Sequence, residues 1–472
     1  MQVVLLFSQQ HTDFRMAEIR GICRVYDLDF DVQAINDKCA IFVMTTTEEC
    51  VQRLLGRSLL LKSAYELFAQ AKDYDELKRA IGENLGVFER FNSPSQSFSV
   101  RVRPVGKKKG VKAIERAREI GSLLPLSNAT VNLDEPMNAF TVMEEYIEEK
   151  AKEPSRLFFG RLLGHGRFSL KNEFALPQRV YIGNTTMDPE LAFIQTNITA
   201  IRPADLVLDP FVGTGGLLLS AAKFGALVVG TEINYHIAKG TGRSSRAGVT
   251  HRSAEECAQA NFEQYGLQKH FLSILMADAS RHELWREGEY VDAIVADPPY
   301  GVREKGRKIG FKDRKEHWTL PGGDHPFHIP EKARYGISSV FGDLLDLAAS
   351  KLRVGGRASF WFPVVREEYS PDVLPSHPAL DLVENSEQWL TMKTSRRLLC
   401  YEKKRSPVAG ERATTAKDQY AEKTFRDVLF DGTKPCVEKK RERRENGDTV
   451  ADGQEDGVTV ASTVTEGQDG QQ

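Results

Sequence analysis

The chain has no surplus of positive charge. Its 472 residues hold 64 Lys and Arg against 66 Asp and Glu, a formal net charge of −2, with a pI near 6.6. A global basic field that would capture nucleic acid unaided is excluded, so any such contact must come from local patches. Cysteine is sparse. Cys23, Cys39, Cys50, Cys257, Cys400 and Cys436 form no Cys-x-x-Cys pair, which argues against a zinc ribbon or a disulfide framework, suggests no metal site and fits a reducing compartment. No run approaches the ~18 apolar residues of a membrane span. Residues 1–7 are apolar but lack a basic leader, so they read as a first strand and not as a signal peptide. No internal repeat is found. The expectation is a soluble cytoplasmic protein, with nuclear entry open through the run 439–444.

What is present is an ordinary globular balance, 41% hydrophobic and 28% charged, over a length that allows about three domains of ~150 residues. Residues 1–60 read as a small α+β subdomain: a strand at 3–7, a helix with Met16, Ile19, Ile22, Cys23 and Tyr26 on one face, and a strand at 39–44. Residues 61–172 continue this alternation, with a helix over 73–85 and a strand over 98–102. Gly160, Gly164, Gly166 and Pro177 mark 151–185 as a connector. From 173 to 404 apolar runs at 206–208, 226–229, 272–276, 291–295 and 358–362 alternate with helical stretches. Strands alternating with helices imply a parallel sheet. Residues 405–472 read as a largely disordered tail, because 446–472 in particular cannot bury enough apolar surface to offset chain entropy. The stretch 420–430, with Phe425, Leu429 and Phe430, is a candidate to dock.

The first motif is Asp209-Pro210-Phe211-Val212-Gly213-Thr214-Gly215. It places an acid where a strand ends and glycines where the backbone turns toward a ligand. It is not the Gly-x-Gly-x-x-Gly loop that sets helix amides against a pyrophosphate. S-adenosylmethionine has no phosphate, and its cationic groups suit Asp209. Glu232 ends the next strand and can accept both ribose hydroxyls. Asp278, followed by Ala279, ends a third and can accept an adenine amino group. Phe211, Gly213 and Gly215 complete the candidate cofactor site. Each acid alone could simply cap a turn or helix.

The second motif is Asp297-Pro298-Pro299-Tyr300, at the exit of the run 291–296. An exocyclic amine is a poor nucleophile because its lone pair is delocalised into the ring. Asp297 and the Pro298 carbonyl can accept its two N–H bonds, Pro299 stiffens the turn, and Tyr300 can stack on the base. The target is turned out of its stack to reach them. Adenine N6, cytosine N4 and guanine N2 all satisfy this logic. So does an adenine-N6 methyltransferase on RNA or DNA, and a non-catalytic tRNA-binding protein could keep the same fold.

Residues 180–404 resemble class I S-adenosylmethionine-dependent amino-methyltransferases. More narrowly, Tyr181-Ile182-Gly183-Asn184-Thr185-Thr186-Met187-Asp188-Pro189-Glu190-Leu191-Ala192-Phe193, the Asp209 loop and Asp297-Pro298-Pro299-Tyr300-Gly301-Val302-Arg303 resemble the eukaryotic tRNA (guanine(10)-N2)-methyltransferase family. The likeness covers most of the chain except about the last 40 residues. It departs at Glu232, where Asp is expected. It implies an α/β fold: a Rossmann-like domain with a mostly parallel seven-stranded sheet, preceded by an α+β region with a THUMP-like domain. It also implies methylation of N2 of guanosine 10 in tRNA, and a small zinc-binding activator subunit as a heterodimer partner.

For tRNA contact, Arg101, Arg103, Lys107, Lys108, Lys109 and Lys112, with Arg116 and Arg118, concentrate charge in one strand-loop-helix segment. Such groups position RNA through its phosphates without reading sequence. The succession through residues 123–136 resembles a THUMP domain. A second basic stretch, including Arg303 and Lys305, follows the catalytic turn, with His317 and Trp318 beyond it. The first could instead be a solvated charged face, and the second could equally be a disordered surface loop.

Overall fold

A computed structural model describes residues 1–29, 32–33, 40–106, 112–148, 151–301, 306–310, 331–415, 425 and 429. The strands in chain order are β1 (Gln2–Phe7), β2 (Val32–Gln33), β3 (Ile41–Thr45), β4 (Leu61–Ala71), β5 (Ser97–Val105), β6 (Thr130–Val131), β7 (Asn138–Glu145), β8 (Arg156–His165), β9 (Leu206–Asp209), β10 (Leu227–Glu232), β11 (Phe271–Met276), β12 (Val291–Ala296), β13 (Arg307–Ile309), β14 (Lys332–Arg334), β15 (Leu352–Val365), β16 (Leu380–Trp389) and β17 (Thr394–Lys403). No helix among the described residues is long and apolar enough to cross a membrane.

β1 to β8 form one eight-stranded sheet in the order β2-β3-β1-β4-β8-β7-β5-β6. The sheet runs across residue 60 without a break, because β1 pairs with both β3 and β4. The connector expected at 151–185 is corrected over much of its length: β8 lies inside the sheet, paired with β4 and β7. Leu157, Phe158 and Phe159 are core residues. The glycines serve close backbone approach there, since a Cβ on Gly160 would stand 2.4 Å from the Glu66 carbonyl oxygen and one on Gly166 1.8 Å from that of Leu61.

The second sheet has seven strands in the order β11-β10-β9-β12-β15-β17-β16. β9 to β12 and β15 pair in parallel, and β17 runs antiparallel to its two neighbours. This is the mostly parallel seven-stranded sheet anticipated for the catalytic part. β12 is almost wholly buried, as expected of a parallel strand covered on both faces. Helix Pro189–Ile198 packs behind it. Asp188 caps this helix by accepting from Glu190 N (2.8 Å), and Pro189 supplies the first turn. Every residue of the helix is buried, and its polar Gln195 is fully bonded: it donates to the Ala296 and Ser359 carbonyls and accepts from Trp361 Nε1 (2.8 Å).

The two sheets are joined by a polar cluster on the helix Arg15–Tyr26. The buried Glu18 carboxylate accepts from Ser58 Oγ (2.6 Å), Leu59 N (2.9 Å), Leu60 N (3.0 Å) and Asn197 Nδ2 (2.7 Å). Arg57 donates to Asn197 Oδ1 and the Ile201 carbonyl. The helices cross so closely that a Cβ on Gly21 would stand 2.1 Å from the Asn197 carbonyl oxygen. Residues 405–415, expected in the tail, pack on the catalytic part: Thr414 bridges Ser376 in the loop before β16, and Ala413 N donates to Asp346 of the helix Ile337–Lys351 (2.7 Å). Phe425, from the segment expected to dock, is fully buried. The tail region 446–472 lies outside the described residues.

Candidate active site

β9 ends at Asp209, which is 1% exposed. The chain then turns into helix Gly216–Lys223. Gly213 (φ +52°) and Gly215 (φ +84°) hold the left-handed backbone that the turn needs. A Cβ on Gly213 would meet nothing within 4 Å, so the loop borders open space. Asp209 accepts from Phe211 N (2.9 Å). Burial lifts its carboxyl well above the usual carboxylate range; the Phe211 N–H opposes this, and the charges of Asp297 and Glu232 reinforce it. Phe211 itself is half-buried against the core cluster containing Phe341 and Phe360.

Glu232, the last residue of β10, accepts from Gly213 N (3.1 Å) and Asn234 N (2.7 Å). Asp278, two residues past β11, accepts from Ser280 N (2.9 Å), Ser280 Oγ (2.8 Å) and Ile309 N (2.6 Å), with Ala279 in the same turn. A carboxylate has about four acceptor sites, so these bonds leave room for a ligand donor. Asp297 directly follows β12. The acids at positions 209, 232, 278 and 297 thus sit at the C-terminal ends of four adjacent strands, the usual ligand edge of an open α/β sheet.

The segment 181–193 is seated over the glycine loop. Gly183 N donates to Thr186 Oγ1 (2.7 Å), which is hydrogen-bonded to Thr214 Oγ1 (2.8 Å). Tyr181 is fully buried and donates to the Ile237 carbonyl (2.7 Å).

One residue of this site was not found by reading the sequence. Arg396, on β17, places its Nη1 4.0 Å from Asp297 Oδ1 and 3.4 Å from Tyr300 Oη. Its guanidinium lies 4.1 Å over the Trp361 ring, and its Nε donates to Gln388 Oε1 (2.7 Å). Nothing local singles it out, since it reaches the site only through the antiparallel pairing of β17 with β15. The Tyr300 ring also meets Phe425 edge-on, with centroids 6.1 Å apart. Pro298 and Pro299 separate Asp297 from Tyr300 as the motif requires.

On the nucleic-acid side, Arg101 donates to the Leu133 carbonyl and Arg103 to Tyr65 Oη (3.2 Å). Lys112 is exposed at the start of helix Ala113–Leu123. Arg116 is occupied structurally, bonded to Glu144 and Glu153 and laid 4.4 Å over the Tyr74 ring. Lys107, Lys108, Lys109, Arg303, Lys305, His317 and Trp318 lie outside the described residues.

Residues 1–167 match the model of the Tmrp11 THUMP N-terminal domain, and residues 177–310 that of the RMKL-like methyltransferase domain. The tRNA (guanine(10)-N(2))-methyltransferase TRMT11 of Xenopus laevis is 37% identical over 409 residues, covering 85% of this chain and 84% of that protein. The human TRMT11 is 34% identical over 457 residues, 93% of this chain and 96% of its own. The chain belongs to the tRNA (guanine(10)-N(2))-methyltransferase family. A Saccharomyces cerevisiae member is 30% identical over 444 residues, 89% of this chain and 98% of its own. Among solved structures, TrmN from Thermus thermophilus aligns with a TM-score of 0.43 at 18% identity, over 85% of this chain and all of that one. Family membership gives this chain a THUMP N-terminal domain and an S-adenosylmethionine-dependent methyltransferase domain.

Proposed function

We propose that this protein transfers a methyl group from S-adenosylmethionine to the exocyclic N2 of guanine in tRNA, at guanosine 10. The observation that carries the reading is the meeting of Asp209, Glu232, Asp278 and Asp297 along one sheet edge. The motifs alone leave adenine and cytosine open; the activity named for the relatives selects guanine.

The residues present fit S-adenosylmethionine. Asp209 is a buried acid whose bonded partner is a backbone N–H, beside open space at Gly213. A cationic ligand there meets the charge that burial otherwise penalises. Glu232 would hold the ribose, Asp278 and Ala279 the adenine, and Phe211, Gly213 and Gly215 the rest of the cradle. When bound, S-adenosylmethionine supplies an electrophilic methyl group on a sulfonium. Asp297 and the Pro298 carbonyl accept the N–H bonds of the target amine and localise its lone pair. Tyr300 stacks on the base, and Arg396 holds both Asp297 and Tyr300 in place. Asp297 takes the proton that the amine sheds, a role worth about 10²–10⁴-fold. Positioning supplies much of the remainder.

Arg101, Arg103, Lys107, Lys108, Lys109 and Lys112 serve as phosphate contacts in the N-terminal part, with Arg303 and Lys305 near the turned-out base. The partner is a small zinc-binding activator subunit. The support for strand addition is the edge strand β11, where Leu272, Leu275 and Met276 are exposed. A cytoplasmic location belongs to the same reading and is supported by the buried free thiols of Cys23 and Cys400.

Mass spectrometry of nucleosides from tRNA treated with the purified chain, with and without the activator, tests the reaction. N2-methylguanosine is expected. N6-methyladenosine, or no methylated product in either case, would overturn the reading.

A further inference from the structure

The β16–β17 hairpin stands above the rim that carries Asp297. Trp361, on β15, lies one residue beyond the partner of Ala296, level with the catalytic turn. The β15–β17 ladder continues to the pair Val365–Thr394. At ~3.3 Å per residue it rises roughly 13 Å past that level. The tip is apolar and open to solvent: Trp389 is 60% and Met392 79% exposed.

Trp389 is not a stray surface residue. The Arg366 guanidinium lies 3.5 Å from its ring centroid. Arg366 is itself fixed, donating to the Met392 carbonyl (2.9 Å) and standing 3.5 Å from Glu387. Glu387 is shared with Arg397 (3.4 Å), which lies 4.3 Å over the Tyr369 ring. Two guanidinia thus face that one acid, Lys393 is exposed in the turn, and Arg396 continues the basic series down to Asp297. Glu367 and Glu368, beside Arg366, and Asp13, whose carboxylate accepts from Glu387 N, are the opposing charges. An indole held against a guanidinium presents a rigid π surface with a cation at its back. That surface suits a nucleobase, because base stacking needs only a flat face and the adjoining phosphate needs a cation. Turning a base out of a stack also bares the faces of its neighbours.

We propose that Trp389 is a stacking platform for a tRNA base next to the guanosine delivered to Asp297, with Arg366 backing the ring and Lys393 meeting the adjoining phosphate. The proposal rests on the tRNA methyltransferase reading above.

The test is steady-state methylation of tRNA by the full chain with its activator, comparing wild type, Trp389→Ala and Trp389→Phe. N2-methylguanosine is the readout. Alanine is expected to raise KM for tRNA by roughly five-fold or more, the low end of base-stacking effects, leaving KM for S-adenosylmethionine unchanged. Phenylalanine should recover most of the loss. An unchanged KM for tRNA in Trp389→Ala would overturn the proposal, as would a rise that phenylalanine does not relieve. Lost activator binding with normal KM for tRNA would assign the tip to a protein and also overturn it. If wild type forms no N2-methylguanosine, the underlying reading has failed, an outcome separate from any effect at Trp389.

Discussion

The two sheets use their acidic residues differently. In the N-terminal sheet carboxylates pair with guanidinia: Glu66 with Arg90 (2.6 Å) and Arg161 (3.1 Å), Glu144 with Arg116, Glu145 with Arg156. At the catalytic rim Asp209, Glu232 and Asp278 accept from backbone N–H groups. A carboxylate bonded to an arginine is neutralised within the protein. One bonded to amides is oriented without an internal counter-ion, and so remains available to a cationic or hydrogen-bond-donating ligand. Asp297 stands between these cases, with Arg396 at 4.0 Å. The comparison separates acids neutralised within the architecture from acids left open toward the sheet edge.

The largest effect expected is at Asp297. Asp297→Ala should lower kcat for methyl transfer by about 10²–10⁴-fold, while tRNA affinity measured by filter binding stays within a few-fold of wild type. Equal loss of both would move Asp297 into the architectural class. Glu18→Ala should act on folding alone. It strands buried donors on Ser58, Leu59, Leu60 and Asn197, each costing about 1–3 kcal/mol. A loss of at least ~3 kcal/mol in urea unfolding is expected, and a loss near zero would mean that this junction contributes little. Reversing charge at Lys107, Lys108 and Lys109 to Glu should weaken tRNA binding and flatten the slope of log affinity against log salt by about 2–3, near 0.9 per phosphate contact. An unchanged slope would remove these lysines from the docking face.

The smallest effect is a proton. Because burial raises the Asp209 pKa, the folded ligand-free protein holds this proton to higher pH than the unfolded chain does. Its contribution to stability is present below the ordinary carboxylate range and is lost as pH climbs through the raised value. A cationic ligand favours the ionised form. Binding of S-adenosylmethionine should therefore release up to one proton and tighten as pH rises through that range. Calorimetry in buffers of different ionisation enthalpy reads this directly, and a buffer-independent enthalpy would contradict it.

Legibility followed the same division. The strands β9 to β12 are short apolar runs with an acid at their end or one or two residues past it, so the fold class and the shared edge of the four acids could be read from local pattern. β8 was masked by glycines whose role is close approach to β4, a tertiary fact. β16 and β17 mix polar and apolar residues and carry many charges, so they stood out less than the core runs. Arg396 and Trp389 were illegible because their significance lies in a hairpin register that brings residue 396 to residue 297. Arg116, counted in the basic segment, is paired with Glu144, and nothing in sequence distinguishes such a cation from a free one.

The most direct measurement is an experimental structure of the enzyme with S-adenosylmethionine, or its demethylated product, and tRNA. The account predicts a guanine turned out of the RNA with its N2 about 2.6–3.2 Å from the Asp297 carboxylate, and the donor's adenosine along Asp209, Glu232 and Asp278. A guanine amine bonded elsewhere, with the Asp297 carboxylate directed away from it, would contradict the account.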